Sequence, residues 1–144
     1  MTYKEANRYI SVLYRYGQRF FVEELSRRGC ELGVGQMPSL LQTWKAPGIT
    51  QEGISQNTGM DKGTTARAVK SLEETGLIHR EADPQDRRVN HITLTPAGEA
   101  MIPVLLEVIQ KYHQWLFRGF SPEEEREATA YLLRLQNNAL GAAD

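Results

Sequence analysis

From Tyr3 to about Arg28, apolar and small residues recur at three- and four-residue steps: Tyr3, Ala6, Ile10, Leu13, Gly17 and Phe20. That period lays them along one stripe of a helix. Gly29 and Gly33 mark its end. A short second helix is expected over Pro38–Trp44, with Pro38 in the first turn, where its missing N–H costs nothing. Pro47-Gly48 stops it. Thr50 is placed to cap a third helix, Gln51–Thr58, and Gly59 to break it. Asp61 is placed to cap a fourth helix that runs to about Thr75, with Gly76 beyond it. The fourth helix turns Val69 and Leu72 inward and shows Lys62, Thr64, Arg67 and Lys70 on its other side.

The pattern then shifts towards alternation. Leu77–Glu81 and Val89–Leu94 read as two strands joined by a polar, proline-containing turn, a hairpin with a looser loop than the two-residue kind. Thr95-Pro96 opens a fifth helix with Met101, Leu105, Val108, Tyr112 and Trp115 on one side. Pro103 within it predicts a kink or a later start. Ser121-Pro122-Glu123-Glu124 is a capping box for a sixth helix, whose Ala128, Tyr131, Leu132 and Leu135 share a face. The expected fold is therefore mainly α with a small β wing: a winged helix-turn-helix flanked by N- and C-terminal helices.

Composition narrows the class. At 144 residues, 40% apolar and 24% charged, the chain is long enough for a core without metal or disulfide support. The single cysteine, Cys30, rules out an internal disulfide and suits a reducing compartment. No apolar run reaches the roughly eighteen residues of a membrane span, and the first residues lack a signal peptide's apolar stretch. A cytoplasmic protein without membrane partners is expected. The net charge of −1 is unevenly spread: +3 over residues 1–30, −1 over 31–60, zero over 61–95 and −3 over 96–144. An acidic C-terminal part facing away from DNA leaves room for phosphate binding elsewhere.

The fourth helix and the hairpin carry the candidate chemistry. A helix fits the major groove, where every base pair presents its own pattern of donors and acceptors. Lys62, Arg67 and Lys70 suit phosphate or guanine, Thr64 and Thr65 suit a base edge or a thymine methyl, and Gly63 permits close backbone approach. The helix N-terminus adds unpaired N–H groups. At the hairpin tip, Arg87 and Arg88 suit a minor groove. Asp86 is expected to hold an arginine by a charge-assisted hydrogen bond.

Ile49–Gly98 resembles the MarR family of regulators. The resemblance is carried by Thr50-Gln51-Glu52, Asp61-Lys62-Gly63-Thr64-Thr65, Leu72–Ile78, and above all Asp83-Pro84-Gln85-Asp86-Arg87-Arg88 followed by Leu94-Thr95 and Gly98. The order of the outer helices extends it over nearly the whole chain. It implies a homodimer built by the first, fifth and sixth helices, with residues 1–32 and 96–144 as dimerisation segments and 33–95 as the DNA-binding module. It also implies an inverted-repeat operator in double-stranded DNA, recognition by the fourth helix, and Arg88 as the wing-tip arginine. Repression relieved by a small-molecule effector is the mode it implies. Tyr16, Met37 and Trp44 are the candidate effector contacts. Ala66 stands where many members carry Thr and is not counted among the contacts.

Cys30 lies at the opposite end of the first helix from the sensing cysteine of the family's oxidant-responsive branch, so an inert thiol is expected. His79, His91 and His113 lack metal-ligand spacing, and no cofactor is expected. Two other functions compete: a winged helix used only for protein contacts, which would favour an apolar patch over this arginine-bearing wing, and an enzyme. For the latter no nucleophile–base grouping, phosphate loop or metal cluster is present in the sequence.

Overall fold

A computed structural model describes residues 4–142. The elements run α1 (Glu5–Arg27), α2 (Gln36–Lys45), β1 (Ile49–Thr50), α3 (Gln51–Thr58), α4 (Lys62–Glu74), β2 (Ile78–Ala82), β3 (Asn90–Leu94), α5 (Pro96–Leu116) and α6 (Pro122–Ala142). Tyr3, expected to open the first helix, lies outside the described residues. Local signals set most boundaries. The Thr50 hydroxyl accepts from the Gly53 N–H at 3.0 Å, and Gly59, at φ +75°, ends α3. The second helix, expected from Pro38, begins at Gln36, because Gly35 at φ +79° turns the chain two residues sooner. Pro38 still falls in the first turn.

The sheet has the order β1-β3-β2, all antiparallel. Register pairs Ile78 with Leu94 and Ala82 with Asn90 across the hairpin, and Ile49 with Ile92 and Thr50 with His91 on the far side of β3. β1 is absent from the sequence reading because two residues are too few to show a period. Both hairpin strands start one residue later than expected. Val89 belongs instead to the loop, donating its N–H to the Asp86 carbonyl at 3.0 Å.

Two compact units make up the chain, one ending at Ile109 and the other beginning at Gln110. The first holds a core of Leu25, Cys30, Leu40, Ile54, Val69, Leu72, Ile78, Ile92, Ile102, Leu105 and Val108. Burying each larger aliphatic side chain contributes about 1.5–3 kcal/mol. The core gathers residues of α1 to α5 and the hairpin, so α4 is held from behind by Val69 and Leu72 as its pattern requires. α5 begins at Pro96 and continues through Pro103, whose side is exposed.

At the start of α5 the backbones come close. A Cβ on Gly98 would lie 2.0 Å from the Leu77 carbonyl oxygen, so only glycine fits. Thr95 fastens the same joint: its hydroxyl donates to the Gly76 carbonyl at 2.6 Å, its N–H donates to the Leu77 carbonyl at 3.1 Å, and its hydroxyl oxygen accepts the Gly98 N–H at 3.1 Å. The Leu-Thr-x-x-Gly stretch after the wing is thus a weld between the end of α4 and the start of α5.

In the second unit the capping box forms as written: the Ser121 N–H donates to Glu124 at 2.8 Å, and the Glu124 N–H to the Ser121 hydroxyl at 3.1 Å. The first of these holds the Glu124 carboxyl below its usual range. His113 meets Glu125 and packs against Phe117. Trp115, Tyr131, Leu132 and Leu135 are all about half exposed, and so, within the first unit, are Tyr9, Ile10 and Leu13 of α1.

Candidate nucleic-acid interface

α4 starts at an aspartate whose two oxygens divide the work. Asp61 Oδ1 accepts the Thr64 N–H at 2.7 Å and Oδ2 accepts the Thr64 hydroxyl at 2.9 Å. These bonds, the backbone one first, keep the Asp61 carboxyl below its usual range. The cap leaves Lys62, Gly63, Arg67 and Lys70 exposed and Thr64 half-buried. Gly63, Arg67 and Lys70 recur at helical spacing and share a face. The Arg67 guanidinium lies back over the helix start, 3.4 Å from the Thr64 hydroxyl, and a Cβ on Gly63 would approach it to 3.2 Å. Gly63 therefore gives Arg67 room to fold back or reach out.

Thr65 departs from the sequence reading. It is fully buried, and its hydroxyl donates to the Asp61 carbonyl at 3.1 Å while accepting from the Ser55 hydroxyl at 2.7 Å. In this structure it offers nothing to a base; it staples α3 to α4. The partner lies ten positions away on a different helix, and no local pattern announces it. Arg80 braces the same pair of helices from β2. Its guanidinium donates to both Glu73 oxygens, at 2.9 and 3.3 Å, and to the Gln51 side-chain oxygen at 3.2 Å.

The wing is built from its root outwards. Asp83 Oδ1 accepts the N–H groups of Gln85 and Asp86, at 2.8 and 3.1 Å, folding the loop back on itself. Asp86 in turn takes Arg88 in a fork, Nε to Oδ1 at 3.1 Å and Nη2 to Oδ2 at 3.2 Å, and also accepts the Arg88 backbone N–H. The fork, the largest influence on it, holds the Asp86 carboxyl below its usual range. Arg88 remains 90% exposed, so the pair adds little stability and chiefly sets direction. Arg87 beside it is exposed as well.

His91, which sequence spacing brings forward only as a metal ligand to be set aside, has another setting here. It lies on β3 with Nδ1 2.8 Å from the Gly48 carbonyl oxygen and Nε2 2.7 Å from Asp83 Oδ2. Both neighbours only accept, so making both contacts hydrogen bonds takes two ring donors, which only the imidazolium form supplies. Asp83 foremost, then the Gly48 carbonyl, push the His91 pKa above its ordinary value. Sequence could not reveal this, because sheet pairing brings Gly48 and Asp83 to it.

The geometry sorts the charges of residues 61–95, whose sum is zero. Asp61 is taken up by a helix cap, Asp83 by His91, Asp86 by Arg88 and Glu73 by Arg80. Lys62, Arg67, Lys70 and Arg87 are left outward on α4 and the wing, and of the acids Glu74 and Glu81 are exposed too.

The three candidate effector residues have separate settings. Tyr16 is exposed on α1 with the Arg19 guanidinium 4.8 Å from its ring centre, Met37 packs against the core, and Trp44 is exposed at the end of α2. Cys30 is buried with its Sγ 3.4 Å from the Met101 sulfur, and burial pushes its thiol pKa up.

Residues 35–89 match the model of the MarR family. A MarR transcriptional regulator from Methanosarcina mazei Go1 is 35% identical in sequence and superposes with a TM-score of 0.88, over 96% of this chain and 99% of that one. YybA of Bacillus subtilis (strain 168), described as an uncharacterised HTH-type transcriptional regulator, is 28% identical over 81% of this chain and 78% of its own length. The same fold, at 23% identity and a TM-score of 0.89 over 99% of this chain and 92% of the other, occurs in a MarR-type regulator from Listeria monocytogenes solved with a 26mer DNA. With the wing motif, the welded Leu94-Thr95/Gly98 joint and a full-length match at this identity, the chain belongs to the MarR family of winged helix-turn-helix transcriptional regulators.

Proposed function

We propose that this chain is a sequence-specific DNA-binding repressor that acts as a homodimer on an inverted-repeat operator and is released by a small-molecule effector. The observation that carries the reading is the sorting of charge on α4 and the wing: Asp61, Glu73, Asp83 and Asp86 are each taken up by a cap or a basic partner, while Lys62, Arg67, Lys70 and Arg87 face solvent and Arg88 is aimed by Asp86. α4, of thirteen residues, spans about 20 Å at 1.5 Å per residue and suits the major groove, while the arginine-tipped wing suits the adjacent minor groove. Lys62, Gly63, Thr64, Arg67 and Lys70 are the proposed helix contacts and Arg87 and Arg88 the wing contacts, with Asp86 as their brace. Half-exposed apolar side chains on α1 and in the second unit support dimerisation through residues 1–32 and 96–144. The effector part rests on the family and takes Tyr16, Met37 and Trp44 as its contacts. It is also supported by the relative from Bordetella bronchiseptica, BpsR, whose DNA binding is regulated by 6-hydroxynicotinic acid.

The deciding experiment is repeated selection from a library of random duplexes with the purified protein, followed by footprinting of the winners. The expected result is a two-fold symmetric consensus with half-site centres about 10 base pairs apart. Recovery of no consensus, with binding that depends on salt alone, would defeat the proposal.

A further inference from the structure

We propose that His91 is a positioning residue for the wing: as an imidazolium it clasps Asp83 to the Gly48 turn, and through that clasp it sets where Arg88 meets DNA. The inference rests on the DNA-binding reading above. It follows from an unbroken chain of hydrogen bonds. The Gly48 carbonyl accepts from His91, His91 donates to Asp83, and Asp83 accepts the N–H groups of Gln85 and Asp86. Asp86 accepts three bonds from Arg88. Gly48 is itself tied to β3 by its N–H, which donates to the Ile92 carbonyl at 2.8 Å. The wing root is thereby anchored to the body of the module by one side chain that can lose a proton.

Loss of that proton leaves a ring with one donor between two groups that only accept. One of the two bonds must break, and a lone pair then faces an oxygen. The charges around the ring favour the proton. Glu81 faces it across the β2 ladder and Asp83 from the loop. On the other side, β1 presents only Ile49 and Thr50. α2 and α3, which also pack on β3, carry one charged residue each, Lys45 and Glu52. His91 and Asp83 are 40% and 28% exposed, so solvent screens the pair and its worth is bounded by about one charge-assisted hydrogen bond. The raised pKa of His91 moves release of the clasp to higher pH than an unperturbed histidine would give. The wing is therefore clasped at low pH and loosens as pH rises through the His91 pKa.

Two measurements test this. The first is the affinity of wild type, His91→Gln and Asp83→Asn for the selected duplex from about pH 5.5 to about pH 8.5, the range in which histidines titrate. Wild-type affinity is expected to fall by up to about tenfold over this range, the worth of one such bond. His91→Gln should bind at the weaker level with that pH limb removed. Asp83→Asn, which keeps an acceptor but loses the charge, should move the midpoint to lower pH. Equal affinity and an identical profile for His91→Gln would overturn the proposal. Should that variant not fold, an unmoved midpoint in Asp83→Asn does the same. The second measurement needs no DNA: in an NMR titration of the free protein, the amides of Gln85, Asp86 and Arg88 should follow the His91 ring. If they do while no duplex is bound at any pH, the clasp stands and the DNA-binding reading falls. If duplex binds and the amides stay still, the clasp falls alone.

Discussion

Arg67 and Arg88 are both exposed arginines, yet their surroundings assign them different work. Arg67 stands on α4 with space above Gly63 to extend. Replacing it with alanine should cost about 1–3 kcal/mol per half-site, the worth of a bidentate base contact, and relax preference at one position. Arg88 is aimed from a wing, where groove width and potential are read. Its replacement should weaken binding to all duplexes, most for those with A·T-rich flanks, and lower the salt slope by about 0.9 for each phosphate that is no longer neutralised. Titrating both variants against operator variants at several salt concentrations separates the two. If Arg88→Ala binds every duplex as wild type does, the wing makes no DNA contact. At this scale the sequence is informative where a residue's role depends on near neighbours. The Asp61 cap, the Asp86 fork and the Ser121–Glu124 box each close within three positions. Thr65 reads as a base contact in sequence because what hides it is Ser55 on another helix.

Among the elements, α3 is legible to the residue and α4 nearly so, because caps and glycines bracket them. β1 is not, because its only warrant is its pairing with β3, far along the chain. Nor can Pro103 be judged from pattern alone. A proline deep in a helix forgoes one backbone bond, and packing of Ile102, Leu105 and Val108 on either side keeps the helix continuous. The joint between α4, β2 and α5 explains the spacing of the motif after the wing. Gly98→Ala must push apart two backbones at the Leu77 carbonyl. A destabilisation of about 2–4 kcal/mol is expected, at the upper end for a single substitution because backbone cannot yield as a side chain does. Chemical denaturation should register it, and Gly63→Ala, which meets only the flexible end of Arg67 and the Asp61 carboxylate, should be far milder. Equal stability of the two variants would contradict the close approach at Gly98.

For the molecule as a whole, the outer helices expose several large apolar side chains, the kind of surface that marks an interaction site. Tyr9, Ile10 and Leu13 on α1, and Trp115, Tyr131, Leu132 and Leu135 in the second unit, are about half open to solvent. Equilibrium sedimentation at micromolar concentration is expected to give a dimer, and Leu132→Glu together with Leu135→Glu should shift it towards monomer. A wild-type protein that sediments only as monomer would contradict this. The apolar stripes of the outer helices are legible in the sequence, whereas the charge of the reading module is not. A sum over residues 61–95 gives zero and hides a surface on which Asp61, Glu73, Asp83 and Asp86 each have a basic, hydroxyl or backbone partner.

That neutrality has a consequence for how such a protein finds its target. A module whose charges sum to zero feels less pull from an arbitrary stretch of chromosome than a strongly basic one, because that affinity is almost wholly electrostatic. Competing genomic sites outnumber an operator by about a million or more, so a strongly basic reader would leave most of its copies on them. Here the bonded acids offset the bulk attraction, while Arg67 and Arg88 retain their reach at short range. On the proposed DNA-binding reading, fewer molecules are then held on irrelevant DNA.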